Sequence, residues 1–118
     1  MSKNHIIIPA RYSSTRFPGK PLKKILGKEM VVRVADICAK VISKSQITIA
    51  TDNILIKKIC KKFGYNCKIT PKNCKTGTDR VFYAAKKIKS DFFINVQGDE
   101  PLIDPRDIKK IIQAKKNY

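Results

Sequence analysis

HIIIPARYSSTRFPGKPL, residues 5–22, divides into two unlike parts. His5 to Pro9 is a short, isoleucine-rich run of the kind found in strands buried on both faces. Ala10 to Pro21 is a long polar loop with three cations (Arg11, Arg16, Lys20), the hydroxyls of Ser13, Ser14 and Thr15, and Gly19 set among prolines. A strand that runs straight into such a loop suits the carboxyl edge of a parallel α/β sheet, where ligands of open sheets bind. Most strand-to-helix loops have only about 2 to 6 residues, and longer ones usually carry function.

The rest of the chain repeats the alternation. Residues 46–50 (QITIA), 66–69 (NCKI) and 92–96 (FFINV) read as further buried strands. Val34, Ile37, Cys38 and Val41 form an i, i+3, i+4, i+7 stripe in a helix over 29–43. Ile56, Ile59, Cys60 and Phe63 do the same over 53–63, with Gly64 ending that helix. A third helix over 78–89 places Val81, Phe82, Ala85 and Ile88 on one face, and a fourth starts from Asp104 as N-cap with Pro105 at its first position and Ile108, Ile111 and Ile112 inward. The order βαβαβαβα predicts an α/β fold: one parallel sheet, right-handed crossovers and helices on both faces. No closing edge strand follows the fourth helix, so the chain reads as the front half of something larger.

With 118 residues, 42% of them hydrophobic, the chain has the composition of one small globular domain and argues against disorder. Its longest apolar runs fall far short of the roughly 20 residues of a membrane-spanning helix. The N-terminus lacks the apolar stretch of a secretory signal, which predicts a cytoplasmic protein. The net charge of +17 suggests a polyanion, yet 21 of the 26 cations are lysines spread over every helix, and the 18 isoleucines against four leucines point to A/T-rich coding. Cys38, Cys60, Cys67 and Cys74 form no C-x-x-C pair, so they are read as reduced thiols rather than a zinc site, with Cys38 and Cys60 on apolar helix faces.

The chemistry is expected where the strands end. The 10–21 loop suits a polyphosphate: amides and hydroxyls donate to phosphate oxygens, Arg11 and Arg16 fork onto them, and Lys20 places a point charge beside the reacting group. It is neither a Walker A loop, since Pro21 follows Gly19-Lys20, nor a G-x-G-x-x-G. After the fourth strand come Gln97-Gly98-Asp99-Glu100-Pro101, adjacent acids in a chain with nine in all. A carboxylate there would hold Mg²⁺ bridged to substrate phosphates. Thr76-Gly77-Thr78-Asp79-Arg80 opens the third helix, where amides could take a base edge or a phosphate. Asp52 is read as turn and cap chemistry, and His5 as an incidental surface histidine.

The segments IIIPARYSSTRFPGKPL (6–22), ATDN (50–53), TGTDR (76–80) and NVQGDEPLI (95–103) resemble, in this order, the 3-deoxy-manno-octulosonate (Kdo) cytidylyltransferases, or CMP-Kdo synthetases. The resemblance implies a Rossmann-like nucleotidyltransferase fold, with residues 1–118 as the N-terminal nucleotide-binding part of a cytidylyltransferase domain. It implies the Mg²⁺-dependent reaction of CTP with Kdo to give CMP-Kdo and pyrophosphate, for lipopolysaccharide synthesis. By the same resemblance Arg11 and Lys20 contact the triphosphate, Ala10 and Ser14 line it, and Asp99 binds magnesium, so that Arg11, Lys20 and Asp99 carry the catalysis. Gln97 and Arg16 lie toward the sugar acid, and Thr78 and Arg80 toward the nucleotide. The sugar's anomeric hydroxyl attacks the α-phosphorus in line, with no covalent enzyme intermediate.

The implied partners are CTP and Kdo, with no nucleic acid and no membrane, and a homodimer for the full-length family. Two departures stand out: Cys74 occupies the place of a family histidine, and family members are about twice as long. The expectation is therefore CTP binding with little turnover by this chain. The alternatives are a cytidylyltransferase for another sugar acid, N-acylneuraminate-like, or a small basic nucleic-acid-binding module.

Overall fold

The computed structural model describes residues 4–12, 24–25, 28–98 and 104–116. Four parallel strands form the main sheet: β1 (Asn4–Pro9), β4 (Ile47–Thr51), β5 (Asn66–Ile69) and β6 (Phe92–Asn95), in the order β5-β4-β1-β6. All six residues of β1 are buried because it pairs on both sides, Ile6 opposite Ile47 and Ile94, and Ile8 opposite Ile49. Strand alternation then splits the core. Ile6 and Ile8 face a large cluster with Val31, Val34, Cys38, Ile56, Cys60 and Ile108, so α1 (Met30–Cys38), α2 (Ile54–Lys62) and α4 (Pro105–Lys116) cover that face. Ile7 points the other way, to Ala50 and Ala84, under α3 (Gly77–Ala85). The α/β class, the parallel sheet and helices on both faces are as the sequence predicts; β5 and β6, expected to be buried, stand at the two ends of the strand order and are half-buried or exposed except at Ile94.

The starts of α2 and α4 follow their capping residues, while two helix ends fall short of expectation. The Asn53 side chain accepts the N–H groups of Leu55 and Ile56 to start α2, and Asp104 accepts the N–H of Arg106 at 2.8 Å to start α4. Gly64, at φ +85°, supplies the left-handed residue after α2. The first helix stops at Cys38 rather than 43: Lys40 and Val41 bond to the carbonyls of Ile37 and Cys38, three residues back. Val41 and Ile42 still pack on the core, so the apolar stripe continues where the α-helix does not. The third helix likewise ends at Ala85 rather than 89, with Ile88 still against the second cluster, while Phe82 of α3 and Ile111 of α4, both expected inward, are exposed. Gln46, expected in a strand, belongs to a 3₁₀ turn (Lys44–Gln46).

Two features differ outright from the sequence reading. A small antiparallel ladder pairs β2 (Lys24–Ile25) with β3 (Lys28–Glu29), too short to leave an alternation pattern. His5 is no surface residue: it sits inside β1, 8% exposed, with its ring hydrogen-bonded to the Thr48 hydroxyl at 2.8 Å. Cys38 and Cys60 are buried among apolar side chains, as their spacing predicts. Among the described residues no helix is long and apolar enough to cross a membrane.

Candidate functional site

The sequence runs outward from β1 through β4 to β5 and then returns to add β6 on the other side of β1, so the strand order reverses between β1 and β6. Crevices at such reversals, at the carboxyl strand ends, are where open α/β sheets bind ligands. Three segments meet there. Pro9-Ala10-Arg11 leaves β1; Val96-Gln97-Gly98 leaves β6; and Gly77 begins α3, after Thr76, whose hydroxyl caps it by accepting the Asp79 N–H at 3.0 Å.

The two strand ends are stitched closely. Val96 donates its N–H to the Ile7 carbonyl at 3.1 Å, and Gly98 donates to the Pro9 carbonyl at 3.2 Å. A Cβ at Gly98 would lie 3.0 Å from that carbonyl oxygen and 3.2 Å from Ala10 Cβ, so glycine allows the approach. A Cβ at Gly77 would lie 3.3 Å from the Gln97 side-chain amide and 3.5 Å from Pro9 Cγ, which brings the positive end of α3 against both strand ends. Gln97 also donates to Asn95 Oδ1 at 3.2 Å.

Among the expected site residues, Ala10 is buried and donates its N–H to the Ala50 carbonyl at 2.8 Å, while Arg11 is exposed beside it. Thr78 is exposed on the first turn of α3, at the rim of an apolar groove formed with Val81, Phe82, Ala85 and Phe93. Arg80 is 1% exposed. Its Nη1 donates to the Thr70 hydroxyl and, at 3.3 Å, to the Pro71 carbonyl. Its Nη2 lies 3.9 Å from Asp52 Oδ2 and makes no hydrogen bond. Ser14, Arg16, Lys20 and Asp99 lie outside the described residues.

Sequence reasoning missed the part played by Asp52. Capping of α2 falls to Asn53, and Asp52 instead accepts the main-chain N–H of Tyr12 at 3.1 Å. The available signal was its place one residue past a strand end, on the same edge as the phosphate-type loop.

Comparison with known proteins agrees with this geometry. A cytidylyltransferase family model matches residues 5–118. The 3-deoxy-manno-octulosonate cytidylyltransferase of Escherichia coli is 40% identical over 114 residues, covering 97% of this chain and 46% of that protein. The enzyme of the same name from Geobacter metallireducens is 46% identical over 106 residues, 90% of this chain and 42% of that protein. A solved structure of CMP:2-keto-3-deoxy-manno-octonic acid synthetase complexed with CTP superposes with a TM-score of 0.94 at 39% identity, over 98% of this chain and 48% of that one. The chain thus spans about half the length of the curated relatives it matches. With the nucleotidyltransferase fold, the crevice at the strand reversal and the match over residues 5–118 in agreement, the chain belongs to the cytidylyltransferase family.

Proposed function

We propose that this chain binds CTP at the carboxyl ends of β1 and β6 and serves the transfer of CMP to 3-deoxy-manno-octulosonate with release of pyrophosphate. The observation that carries the reading is the convergence of the Ala10-Arg11 segment, Gln97-Gly98 and the N-terminus of α3 at the strand reversal. It occurs in a chain 40% identical to an enzyme named for that transfer. Arg11, Lys20 and the amides of the 10–21 loop would hold the triphosphate, Ala10 and Ser14 would line it, and Thr78 would face the nucleotide, whereas Arg80, expected beside it, is buried against Thr70, Pro71 and Asp52. Arg16 and Gln97 would serve the sugar acid. The product's use in lipopolysaccharide synthesis, a cytoplasmic location and a homodimer of the longer family proteins belong to the same reading. No nucleic acid or membrane takes part in it.

Magnesium fits the donor chemistry. In sequence, Asp99 and Glu100 directly follow Gly98, whose N–H donates to the Pro9 carbonyl beside Ala10-Arg11. Mg²⁺ prefers one or two carboxylates with phosphate oxygens and water, and Asp99 would be the protein ligand. When bound, the ion neutralises charge on the phosphates and the departing pyrophosphate. The chain's own groups fix the triphosphate for in-line attack, a positioning task rather than covalent catalysis.

Calorimetric titration tests the reading. Arg11→Ala or Lys20→Ala should weaken CTP binding by about 1.5 to 3 kcal/mol, the range for hydrogen bonds to charged groups. Equal affinity in both variants and parent would remove the loop from the site.

A further inference from the structure

Arg11 is exposed, but the main chain on either side of it is pinned. Before it, the Ala10 N–H donates to the Ala50 carbonyl at 2.8 Å. After it, the Tyr12 N–H donates to Asp52 Oδ1 at 3.1 Å. Both acceptors come from the end of β4, one from its main chain and one from the side chain just beyond it. The second needs explaining, because the Asp52 side chain is only 4% exposed and a buried carboxylate is costly unless a cation balances it.

Arg80 is that cation. Its side chain is 2% exposed, and it reaches from the first turn of α3 with Nη2 3.9 Å from Asp52 Oδ2. Two of its contacts, the Thr70 hydroxyl and the Pro71 carbonyl, come from the segment following β5. They leave Nη2 with no hydrogen bond, set against the carboxylate at ion-pair range. The chain of contacts therefore runs from the β5 end, through Arg80 and Asp52, to the peptide that follows Arg11.

We propose that Asp52 and Arg80 are positioning residues for Arg11: Arg80 holds the Asp52 carboxylate in place, and Asp52 accepts the Tyr12 N–H, fixing the backbone that presents Arg11 to the triphosphate. This rests on the reading of Arg11 as a triphosphate contact. Preorganised backbone spares the ordering cost that a loose loop would pay on binding. Asp52 contributes through Arg11 and not by touching the nucleotide, so its loss should be felt by ligands with phosphates and not by the bare nucleoside.

The test uses the full chain and three readings. In Asp52→Ala, amide hydrogen exchange of Tyr12 should rise about tenfold or more, while Ile8 and Ile49 in the central strands stay protected. CTP affinity should fall about tenfold, within the range for a lost charged hydrogen bond, and cytidine affinity should change less than about twofold. The double variant Arg11→Ala/Asp52→Ala should bind CTP no more weakly than Arg11→Ala alone, because the two act as one unit. Asp52→Asn, which keeps an acceptor for Tyr12, should restore much of the Tyr12 protection. Should Asp52→Ala not fold, Arg80→Lys carries the same measurements, with a rise of about threefold in Tyr12 exchange and a matching loss for CTP alone. Unchanged Tyr12 exchange, equal losses for CTP and cytidine, or additive losses in the double variant would overturn the proposal. Weaker CTP binding in Arg11→Ala with Asp52→Ala silent sinks the positioning role and leaves the CTP site standing. Undiminished CTP binding in Arg11→Ala removes that site and the positioning role together.

Discussion

Gly98→Ala probes the contact that joins the two strand ends. The new Cβ would sit 3.0 Å from the Pro9 carbonyl oxygen, 3.2 Å from Ala10 Cβ and 3.4 Å from Ile8 Cγ2. Comfortable contacts between carbon atoms are about 3.5 to 4.0 Å, so β1 and the chain after β6 must part by a few tenths of an ångström. Neither can yield cheaply, since β1 is buried along its length between two partners. Overpacking of this kind costs about 1 to 3 kcal/mol. Against it stands a gain of about 0.4 to 1 kcal/mol from the stiffer unfolded chain, because Gly98 does not need a positive φ.

The net expectation is a loss of about 1 to 2 kcal/mol, read in urea as a lower midpoint at unchanged slope. Because the same displacement moves Ala10-Arg11, CTP affinity should fall with it. Gly64→Ala is the control: at φ +85° it should cost about 1 to 2 kcal/mol by backbone strain, yet it lies after α2, away from the crevice, and should leave CTP binding unchanged. A neutral Gly98→Ala, or equal losses of CTP affinity in the two variants, would refute the reasoning.

Three more expectations follow from single residues. Burial lowers the His5 pKa below its ordinary 6.5, so the unfolded chain takes up the proton first, and stability present above pH 6.5 is lost as pH falls through the folded value; urea midpoints between pH 7 and 5 should show this, and a His5→Gln variant with the same slope would contradict it. Cys67 is held below the usual thiol range by its hydrogen bond with Cys60, helped by Lys57 and Lys61 and opposed by burial, whereas burial pushes Cys38 up to about 12; alkylation near pH 8 followed by peptide mass mapping should mark Cys67 before Cys38 or Cys60, and equal rates would count against the packing described. Asp99→Asn should abolish the Mg²⁺ dependence of CTP binding without unfolding the chain; magnesium-enhanced binding in the variant would move the assignment to Glu100.

Much of the architecture is legible because its causes are local. Short apolar runs bounded by turn residues mark β5 to the residue and β1 to within one, at Asn4 rather than His5, and Asp104-Pro105 marks the start of α4. Helix ends were less legible: Val41, Ile42 and Ile88 keep the apolar stripe going after the helical hydrogen bonds stop, and only packing separates the two. His5 was misplaced because its partner, Thr48, sits on a neighbouring strand. At the site, the strand-end positions of Ala10, Arg11, Gln97 and Gly98 were legible from topology. The tie from Arg80 through Asp52 to Tyr12 was not, since it joins three elements distant in sequence and one of its links is a main-chain N–H.

Backbone amide chemical shifts during a CTP titration of the 118-residue chain test the central claim most directly. The account predicts saturable shifts centred on Ala10, Arg11, Gly77, Gln97 and Gly98, strengthened by Mg²⁺ and absent with cytidine at the Arg11 peptide. No saturation at millimolar CTP, or shifts gathered on the lysine-rich outer faces of α2 and α4 and lost with added salt, would contradict it.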